Sequence, residues 1–394
     1  MNKLVITQKD NFIYSFLLNE KNRATELQVT PVQDTSLLGN IYVGFVENIV
    51  KNINAAFLRI TDEDIAYCSS SERCNFLFGR HSSSPNLAQG DRVLVQVERD
   101  PVKTKQASVT GKLKLTGKYL ILLHDCPGIK FSGKLNKTQE ARILQILSGQ
   151  DVSSYGFIVR TNAAEASEEQ ILKEAVRLSD FYRELCKSGV ACKKGTVLYR
   201  HLPEYAEFLR DLPQDSLSEV YTDHEEIYRV LTEQYCMFWP EDRDKIHFYN
   251  DQALSMTALY NLEKIIREAT DQKVYLNSGA SLIIEPTETL TVIDVNTGKA
   301  VNGRKEKDET FYKINLEAAT EAMRQIRLRN LSGMILIDFI NMESEQKEQE
   351  LIHFVKMLAK EDRVSVSVID MTGLKLLELT RRRTKKPLHE VLYS

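Results

Sequence analysis

Apolar and polar residues alternate with a period of two near the start of the chain, from Lys3 to Leu18 and again from Thr25 to Pro31. Successive side chains of a strand point to opposite faces, so this pattern predicts a β-hairpin. From Gly39 onward, short apolar runs alternate with polar turns, at 40–50, 55–60 and 92–98. Short strands spaced this closely predict a small barrel.

Helical spacing occurs in several later segments. Thr138 to Leu147 fits a short helix, and Ser167-Glu-Glu-Gln170 fits a capping box that opens a helix through about Cys186. Residues 224–235 and 253–269 carry the same periodicity. The chain therefore mixes helices and strands throughout.

Two apolar runs each end in an isolated aspartate, at Asp294 and at Asp338. Both runs predict buried strands. The segment between them, 315–327, has an apolar face made by Leu316, Ala319, Met323 and Ile326. A strand, a helix of this length and a second strand predict parallel pairing, which brings the carboxyl ends of both strands together.

The two aspartates predict a site for one divalent cation. A carboxylate inside an apolar run is costly to ionise unless it is paired or binds a metal. Mg²⁺ takes oxygen ligands and needs only one or two protein carboxylates beside water and substrate phosphate. Asn296 follows Asp294 by two residues, on the same side of an extended backbone, where its amide can bind a phosphate oxygen or orient water. The alternative is that these aspartates only accept backbone N–H groups at strand ends.

Composition limits the class of protein. The 394 residues predict two or more domains, and 52 basic against 55 acidic residues give a net charge of −3. A polyanionic partner must therefore bind local basic patches. Six cysteines without a Cys-x-x-Cys pair, no secretory signal and no apolar run near the ~20 residues of a membrane span lead us to expect a soluble cytoplasmic protein without membrane contact.

Three segments closely resemble the catalytic part of the ribonuclease E/G family. They are Leu290–Gly298, Asn315–Arg329 and Gly333–Met342. Val274–Gly279, Ile283–Glu288 and Leu376–Arg383 resemble the flanking parts of the same family, so the resemblance covers nearly the whole chain. Because the sequence shows no long disordered tail, it looks more like the shorter ribonuclease G type of this family.

This resemblance implies an α/β fold of several subdomains. A discontinuous RNase H-like subdomain is expected to carry an inserted OB-fold RNA-binding barrel and a 5′-sensor subdomain, followed by a DNase I-like catalytic subdomain. The expected segments are 1–38 and 195–272 for the RNase H-like parts, 39–116 for the barrel, 117–194 for the 5′ sensor and 273–394 for the catalytic subdomain.

The resemblance also implies an activity. Asp294 and Asp338 would bind Mg²⁺, and Asn296 would position water or the scissile phosphate. The expected enzyme is an endoribonuclease that cleaves single-stranded RNA to 5′-phosphate and 3′-hydroxyl ends in RNA processing or decay. Asn341 replaces an aspartate that the family usually has three residues after Asp338.

The segment Tyr155–Thr161 is similar to the family's pocket for a 5′-monophosphate. Arg160 would fork onto phosphate oxygens while Thr161 donates a hydroxyl bond. The alternative is that Arg160 forms an ordinary surface ion pair. Gly133, followed by Lys134, stands where the family has an arginine. The nearby run Gly128–Lys134 also fits most of a P-loop, but Leu135 stands where Mg²⁺ binding requires Ser or Thr, so we do not expect a nucleotide site.

In the barrel, Phe57 and Tyr67 match the family's aromatic residues for unpaired bases, and Lys105 matches a phosphate-binding lysine. The alternatives are that Phe57 belongs to the barrel core and Lys105 to a solvated turn. The basic runs 381–386 and 299–307 would either follow the RNA backbone or remain solvated.

No cysteine follows Cys236, so the family's zinc-sharing element has no counterpart here. A zinc-linked dimer is therefore not expected, although a homodimer through another surface stays open. A second functional hypothesis follows from the departures at Asn341, Gly133 and the zinc element. It is a catalytically weak or inactive RNA-binding protein of the same family, and retention of Asp294 and Asp338 counts against it.

Overall fold

A computed structural model of the chain describes residues 1–33, 36–69, 77, 87–102, 105–193, 195–213, 217–298 and 307–393. The chain forms two compact units. One comprises Met1–Gln33 together with Gln214–Ser394, and the other comprises Asp34–Pro213. Within the described ranges, no helix has the length and apolar character needed to cross a membrane.

Strands and helices follow one another in mixed order. The strands are β1 (Asn2–Lys9), β2 (Phe12–Leu18), β3 (Ala24–Pro31), β4 (Ile41–Val50), β5 (Ala55–Arg59), β6 (Ile65–Ser69), β7 (Arg92–Arg99), β8 (Ser108–Thr110), β9 (Lys114–Thr116), β10 (Leu120–His124), β11 (Gly128–Phe131), β12 (Tyr155–Val159), β13 (Val197–Tyr199), β14 (Leu217–Thr222), β15 (Ile246–Phe248), β16 (Lys273–Tyr275), β17 (Ser281–Pro286), β18 (Leu290–Asn296), β19 (Gly333–Asp338), β20 (Val366–Met371) and β21 (Leu376–Arg381). The α-helices are α1 (Lys137–Leu147), α2 (Glu168–Ala191), α3 (Glu204–Asp211), α4 (Glu225–Arg229), α5 (Cys236–Phe238), α6 (Met256–Leu259), α7 (Leu262–Thr270), α8 (Lys307–Leu328), α9 (Glu345–Lys360) and α10 (Leu388–Leu392).

The N-terminal strands belong to a five-stranded sheet of order β15-β14-β1-β2-β3. β1 and β2 pair antiparallel, which confirms the predicted hairpin, and β1 also pairs parallel with β14. Almost all of β2 is buried, on both faces, and not on alternate residues as the sequence pattern predicts. One of these faces packs on Met256, Leu262 and Ile265 of α6 and α7.

A closed barrel of five strands lies at the start of the second unit. Its strands follow the order β4-β5-β6-β8-β7, and β7 pairs back onto β4 to close the sheet. This confirms the predicted small barrel. Inward residues such as Ala56 and Leu58 are fully buried, and β13 adds to the outer side of β4.

The same unit contains a four-stranded sheet of order β11-β12-β10-β9, packed against α1 and α2. Ser167 caps α2 through the predicted capping box, because its side chain accepts from the N–H of Gln170 and Gln170 reaches back. Asn136 and Gln139 form the same motif at the start of α1. The helix that Ser167 opens ends at Ala191, later than expected.

The last sheet carries the two aspartate strands, in the order β16-β17-β18-β19-β21-β20. β18 and β19 pair parallel, as the strand, helix, strand pattern predicts, whereas their outer neighbours are antiparallel. The connecting helix α8 runs over 307–328, a longer span than the predicted 315–327. Its residues Ala318, Ala319, Ala322 and Met323 are fully buried in the core beneath the sheet, but Leu316 is only partly buried.

Two predicted helices are interrupted. The helix expected over 224–235 becomes π-helical from Val230 to Tyr235. The helix expected over 253–269 is divided into α6 and α7 by Asn261, whose φ of 52° lies in the left-handed region. The division of the chain into five subdomain segments stays a prediction.

Candidate active site

Asp294 and Asp338 lie directly opposite each other where β18 and β19 end. The register pairs Ile293 with Ile337 one step earlier, and both isoleucines are fully buried. Because strand side chains alternate between faces, the two aspartates point away from that core. The expectation of buried carboxylates was therefore wrong, since Asp294 is half-buried and Asp338 is exposed.

The two carboxylates influence each other electrostatically. Partial burial and the negative charge of Asp294 raise the pKa of Asp338 above its ordinary value. Neither carboxylate accepts a backbone N–H from the described residues, so the strand-end alternative is wrong there. Two adjacent carboxylates that form no ion pair with a basic side chain of the described residues make a site whose charge favours a cation.

Asn296 lies beside Asp294, as its spacing predicts. Its Nδ2 donates a hydrogen bond of 2.6 Å to Oδ2 of Asp294. This bond fixes one carboxylate oxygen and leaves the other oxygen of Asp294 for a ligand. The geometry makes Asn296 a residue that positions Asp294.

Asn315 holds the loop that follows Asp338, and the sequence pattern missed this role. Its Nδ2 donates to the carbonyl of Ile340 at 2.8 Å, and its Oδ1 accepts the N–H of Ile340 at 3.0 Å. The side chain is fully buried on α8. The sequence did contain a signal for this role, because Asn315 lies four positions before the apolar Ala319 and so on the apolar face of the predicted helix.

Helix α8 also fixes the turn between β16 and β17 through a second side chain. Glu317 of α8 accepts the N–H groups of Asn277 and Ser278 at 2.7 and 3.2 Å, in the turn between β16 and β17. A Cβ on Gly298 would lie 2.5 Å from the carbonyl oxygen of Gly279 in that turn. Gly298 has a φ of +55°, so this close approach after β18 requires glycine.

The donor set fits Mg²⁺. Among the residues that the structure describes, no group of three or more His, Cys, Asp or Glu side chains could hold a metal. Zn²⁺ and Ca²⁺ need larger or softer protein ligand sets. A pair of adjacent, accessible carboxylates is what a weakly held Mg²⁺ that keeps several waters requires.

Arg160 lies at the end of β12 and already has protein partners. Its Nη1 donates to the carbonyl of Gly117 at 2.6 Å and to Oδ1 of Asp211 at 2.8 Å. The ion-pair alternative is therefore correct for this arginine, although both side chains are partly buried. Thr161 is exposed, and its Oγ1 lies 3.1 Å from Oγ of Ser132. Phosphate binding by Arg160 and Thr161 stays a prediction.

Phe57 and Tyr67 face each other across the barrel strands β5 and β6. They pair in register, and their rings meet edge to face with centroids 6.3 Å apart. Both are half-buried between fully buried neighbours, so the alternative that Phe57 is barrel core was wrong. Lys105 is exposed, pairs with Val102 in an isolated β-bridge and lies two residues before Ala107, whose carbonyl accepts the N–H of Tyr67.

The first residue of the basic run 381–386 differs from the rest. Arg381 is buried and pairs with Asp362 at 2.8 Å, so it supports the sheet, whereas residues 382–386 are exposed and RNA binding by them stays a prediction. Arg381 also lies opposite Gly333, at the other end of β19 from Asp338. Of the run 299–307, residues 299–306 lie outside the described residues.

The segment that imitates a P-loop forms no phosphate cradle. Gly128–Phe131 is the edge strand β11, and α1 begins only at Lys137 after its Asn136 cap. A Cβ on Gly133 would meet nothing within 4 Å. The segment is an ordinary strand and turn.

Comparison with known proteins identifies the family of this chain. The model of the ribonuclease E/G family matches residues 114–384. The chain belongs to the ribonuclease E/G family. It is 30% identical to ribonuclease G of Salmonella typhimurium over 93% of this chain and 77% of that protein. It is also 30% identical to ribonuclease E of Synechocystis over 99% of this chain and 58% of that protein, and 28% identical to ribonuclease G of Haemophilus influenzae over 95% and 78%.

Membership of the ribonuclease E/G family confirms the resemblance seen in the sequence. The matched range contains both aspartate strands, α8 and Arg160. Asn341, where this chain departs from the expected family pattern, is exposed after β19 and makes no hydrogen bond within the described part of the chain. Within the described residues, Asn341 therefore forms no hydrogen bond to Asp338.

Proposed function

We propose that this protein is a Mg²⁺-dependent endoribonuclease that hydrolyses single-stranded RNA to 5′-phosphate and 3′-hydroxyl ends during RNA processing or decay. The observation that supports it best is the register of Asp294 opposite Asp338 on parallel strands, within a chain of the ribonuclease E/G family. The relatives carry the names ribonuclease G and ribonuclease E.

Asp294 and Asp338 would hold the metal, which supplies Lewis-acid activation of water and neutralises charge on the phosphate. The protein's own contribution is positional. Asn296 fixes Oδ2 of Asp294, and Asn315 fixes the backbone two residues beyond Asp338. Both carboxylates are accessible, so the scissile phosphate can approach them without opening the fold.

The barrel would bind the unpaired RNA in the manner of an OB fold. Phe57 and Tyr67 present ring surface outside the barrel core, and aromatic stacking is tolerant of base identity. Lys105 is exposed and lies two residues before Ala107, whose carbonyl accepts the N–H of Tyr67. Its ammonium group can neutralise a backbone phosphate. Single-strand preference follows because paired bases cannot expose their faces to stacking.

The RNA 5′ end would meet Arg160 and Thr161. The bonds of Arg160 to Gly117 and Asp211 both come from Nη1, and the edge formed by Nε and Nη2 makes no hydrogen bond within the described residues. That edge has the geometry of a bidentate phosphate contact. Thr161 adds an exposed hydroxyl donor.

The test is cleavage of a single-stranded, AU-rich RNA by wild type, Asp294→Asn and Asp338→Asn, each with Mg²⁺ and with chelator. We expect cleavage only by wild type with Mg²⁺, with 5′-phosphate ends on the downstream products. Wild type that binds this RNA but never cuts it would replace the proposal by the alternative of a non-catalytic RNA-binding protein. Cleavage that continues in chelator would exclude the metal mechanism.

A further inference from the structure

A cavity of about 420 Å³ lies beside the sheet that carries Asp294 and Asp338. It is bordered by the end of α7, the end of β17, the residues that follow α8, and α10. Ile284, one of its walls, pairs with Ile293, so it lies on the face of the sheet opposite to that of Asp294. Leu331, another wall, precedes β19, whereas Asp338 ends that strand. The cavity is therefore separate from the candidate active site.

Arg329 borders this cavity, and the groups that accept its hydrogen bonds are neutral. The residue is only 6% exposed. Its Nε donates to Oε1 of Gln325 at 2.7 Å, and its Nη2 donates to the carbonyls of Glu268 and Asp271 at 3.0 and 2.7 Å. Its Nη1 makes no hydrogen bond within the described residues, yet this atom is not sealed from solvent. A buried guanidinium therefore presents unused N–H donors at the cavity.

Burial dominates the electrostatics of this guanidinium. It lowers the pKa of Arg329 to about 10, although the charges of Asp271 and Glu321 act in the opposite direction. Neither of these carboxylates forms an ion pair with Arg329 in the described part of the chain, and Glu321 binds Arg324 instead. Arg329 is still charged at neutral pH. An anion that reaches Nη1 would gain a charge-assisted hydrogen bond in a largely dry site.

The groups around Arg329 favour a ligand with a single negative charge. Glu285 also borders the cavity, where it is exposed and accepts a hydrogen bond from Nε2 of Gln272. His389 borders it as an exposed side chain of α10. Helix α8 ends at Leu328, directly before Arg329, so the negative end of its dipole lies at the same place. A phosphate dianion would be repelled by both negative features more strongly than a carboxylate.

The cavity also offers apolar surface for the body of such a ligand. Four of its walls are buried apolar side chains, namely Ala269, Ile284, Leu331 and Leu388. Each methylene group that moves from water onto these walls should improve binding by about fourfold. The volume of the cavity lies within the range of about 300–1,000 Å³ that is typical of small-molecule sites.

We propose that this cavity is a binding site for a small amphipathic monocarboxylate, whose carboxylate accepts hydrogen bonds from Nη1 of Arg329 and whose apolar body packs on Leu331 and Leu388. The inference goes beyond the proposed function, because neither the metal nor the RNA takes part in it. The bonds of Nε and Nη2 tie α8 to the end of α7 and give Arg329 a structural role. They leave Nη1 for the ligand.

The experiment measures binding of sodium hexanoate to the full chain. The ligand is titrated with protein near pH 7, in chelator and at constant ionic strength, and followed by ligand-detected NMR. Hexanoate should bind with a dissociation constant below about 1 mM, and acetate, which lacks four methylene groups, at least about tenfold more weakly. 1-Hexanol has the same number of carbons but no charge, and it should also bind at least about tenfold more weakly. Hexyl phosphate should bind no more tightly than hexanoate.

Thr270→Trp fills the cavity and leaves Arg329 in place. Thr270 borders the cavity, and its hydroxyl donates to the carbonyls of Ile266 and Arg267 within its own helix. Affinity for hexanoate should fall by at least about tenfold in this variant, and equally in Arg329→Gln. Arg267→Gln is the matched control, since it removes a positive charge from an exposed position of α7 that is not a wall of the cavity. Its affinity should stay within about twofold of wild type.

Four results would overturn the inference. Wild type that shows no saturable binding of hexanoate up to about 10 mM would remove the site. Equal affinity for 1-hexanol and hexanoate would remove the role of Arg329. A folded Thr270→Trp protein, judged by circular dichroism, with wild-type affinity would place the ligand elsewhere. Tighter binding of hexyl phosphate would make the ligand a phosphate monoester. Each of these results leaves RNA cleavage by wild type untouched, so the inference and the proposed function fail separately.

Discussion

Asn315 forms two hydrogen bonds to the backbone of a single residue, Ile340, and so ties the middle of α8 to the loop beyond Asp338. The amide supplies one donor and one acceptor, as a strand neighbour would. The backbone after β19 thus keeps a strand-like pairing, although no strand of the described residues pairs with Ile340. The loop that follows Asp338 is therefore held by a buried side chain of α8.

Replacing Asn315 by alanine should lower both stability and cleavage. The change leaves the partly buried N–H and carbonyl of Ile340 without the partners that Asn315 supplies, which costs about 2–3 kcal/mol in the free energy of unfolding. Urea unfolding measures this loss, and single-turnover cleavage should fall while RNA affinity stays constant. Thr320→Ala, an exposed position on the same helix, is the control and should change neither quantity. Equal losses in both variants would contradict a specific role for Asn315.

Asn296→Ala should weaken the response to Mg²⁺. Loss of the 2.6 Å bond frees the Asp294 carboxylate to rotate, and loss of such supporting contacts commonly reduces metal affinity or activity by about 10–100-fold. The measurement is cleavage rate against Mg²⁺ concentration. Asn341→Ala serves as control because its exposed side chain makes no hydrogen bond within the described residues. An unchanged Mg²⁺ curve for Asn296→Ala would show that the bond does not support the site.

Asp338→Asn should stabilise the fold while abolishing cleavage. Because the pKa of Asp338 is raised in the folded state, its ionised form destabilises the fold above the ordinary pKa, and the effect disappears as the carboxyl group is protonated at lower pH. In chelator near pH 7 we expect a higher Tm for the variant. The corresponding gain in the free energy of unfolding should be no more than about 1 kcal/mol, because the Asp338 carboxylate is exposed.

Addition of Mg²⁺ should affect the Tm of wild type and the Tm of Asp338→Asn differently. The metal should raise the Tm of wild type but not that of Asp338→Asn, and below about pH 4 in chelator the two Tm values should converge. Differential scanning fluorimetry from about pH 3 to about pH 8 makes both comparisons. A variant less stable than wild type in chelator at pH 7 would show that the two carboxylates do not repel each other.

Phe57→Ala and Tyr67→Ala should each weaken binding of single-stranded RNA. Stacking of one base on an aromatic ring contributes about 1–3 kcal/mol, so affinity should fall at least about fivefold for each variant. Because both rings are only half-buried, the thermal stability should change little. Phe248→Ala, at an exposed aromatic residue of β15, is the control for RNA binding. Equal affinity of the barrel variants and wild type would place the RNA elsewhere.

The pattern of the sequence predicts the strand pairing better than it predicts burial. The parallel register of Asp294 and Asp338 follows from two apolar runs joined by a helix of suitable length. The same runs cannot reveal which face is covered, and Val292 and Leu336 lie on a face that is only partly buried. An apolar run therefore overstated the burial of the carboxylates that end it.

Contacts between distant segments account for what the sequence could not reveal. Asp211 follows Arg160 by 51 positions, and no periodicity relates the end of α3 to the end of β12. Asn315 looks like a polar residue on an amphipathic helix until the position of Ile340 is known. The capping box at Ser167 was identified correctly because its two partners lie three residues apart in the chain.

The parallel pairing of β1 with β14 has a consequence for synthesis on the ribosome. Asn2 can pair only after Leu217 has been synthesised, and the second compact unit, Asp34–Pro213, is translated between them. At about 5–20 residues per second the delay is on the order of tens of seconds, long enough for an independent unit to fold first. The edge of β1 that pairs with β14 is therefore unpaired during that interval, and an unpaired strand edge is a template for pairing with another chain.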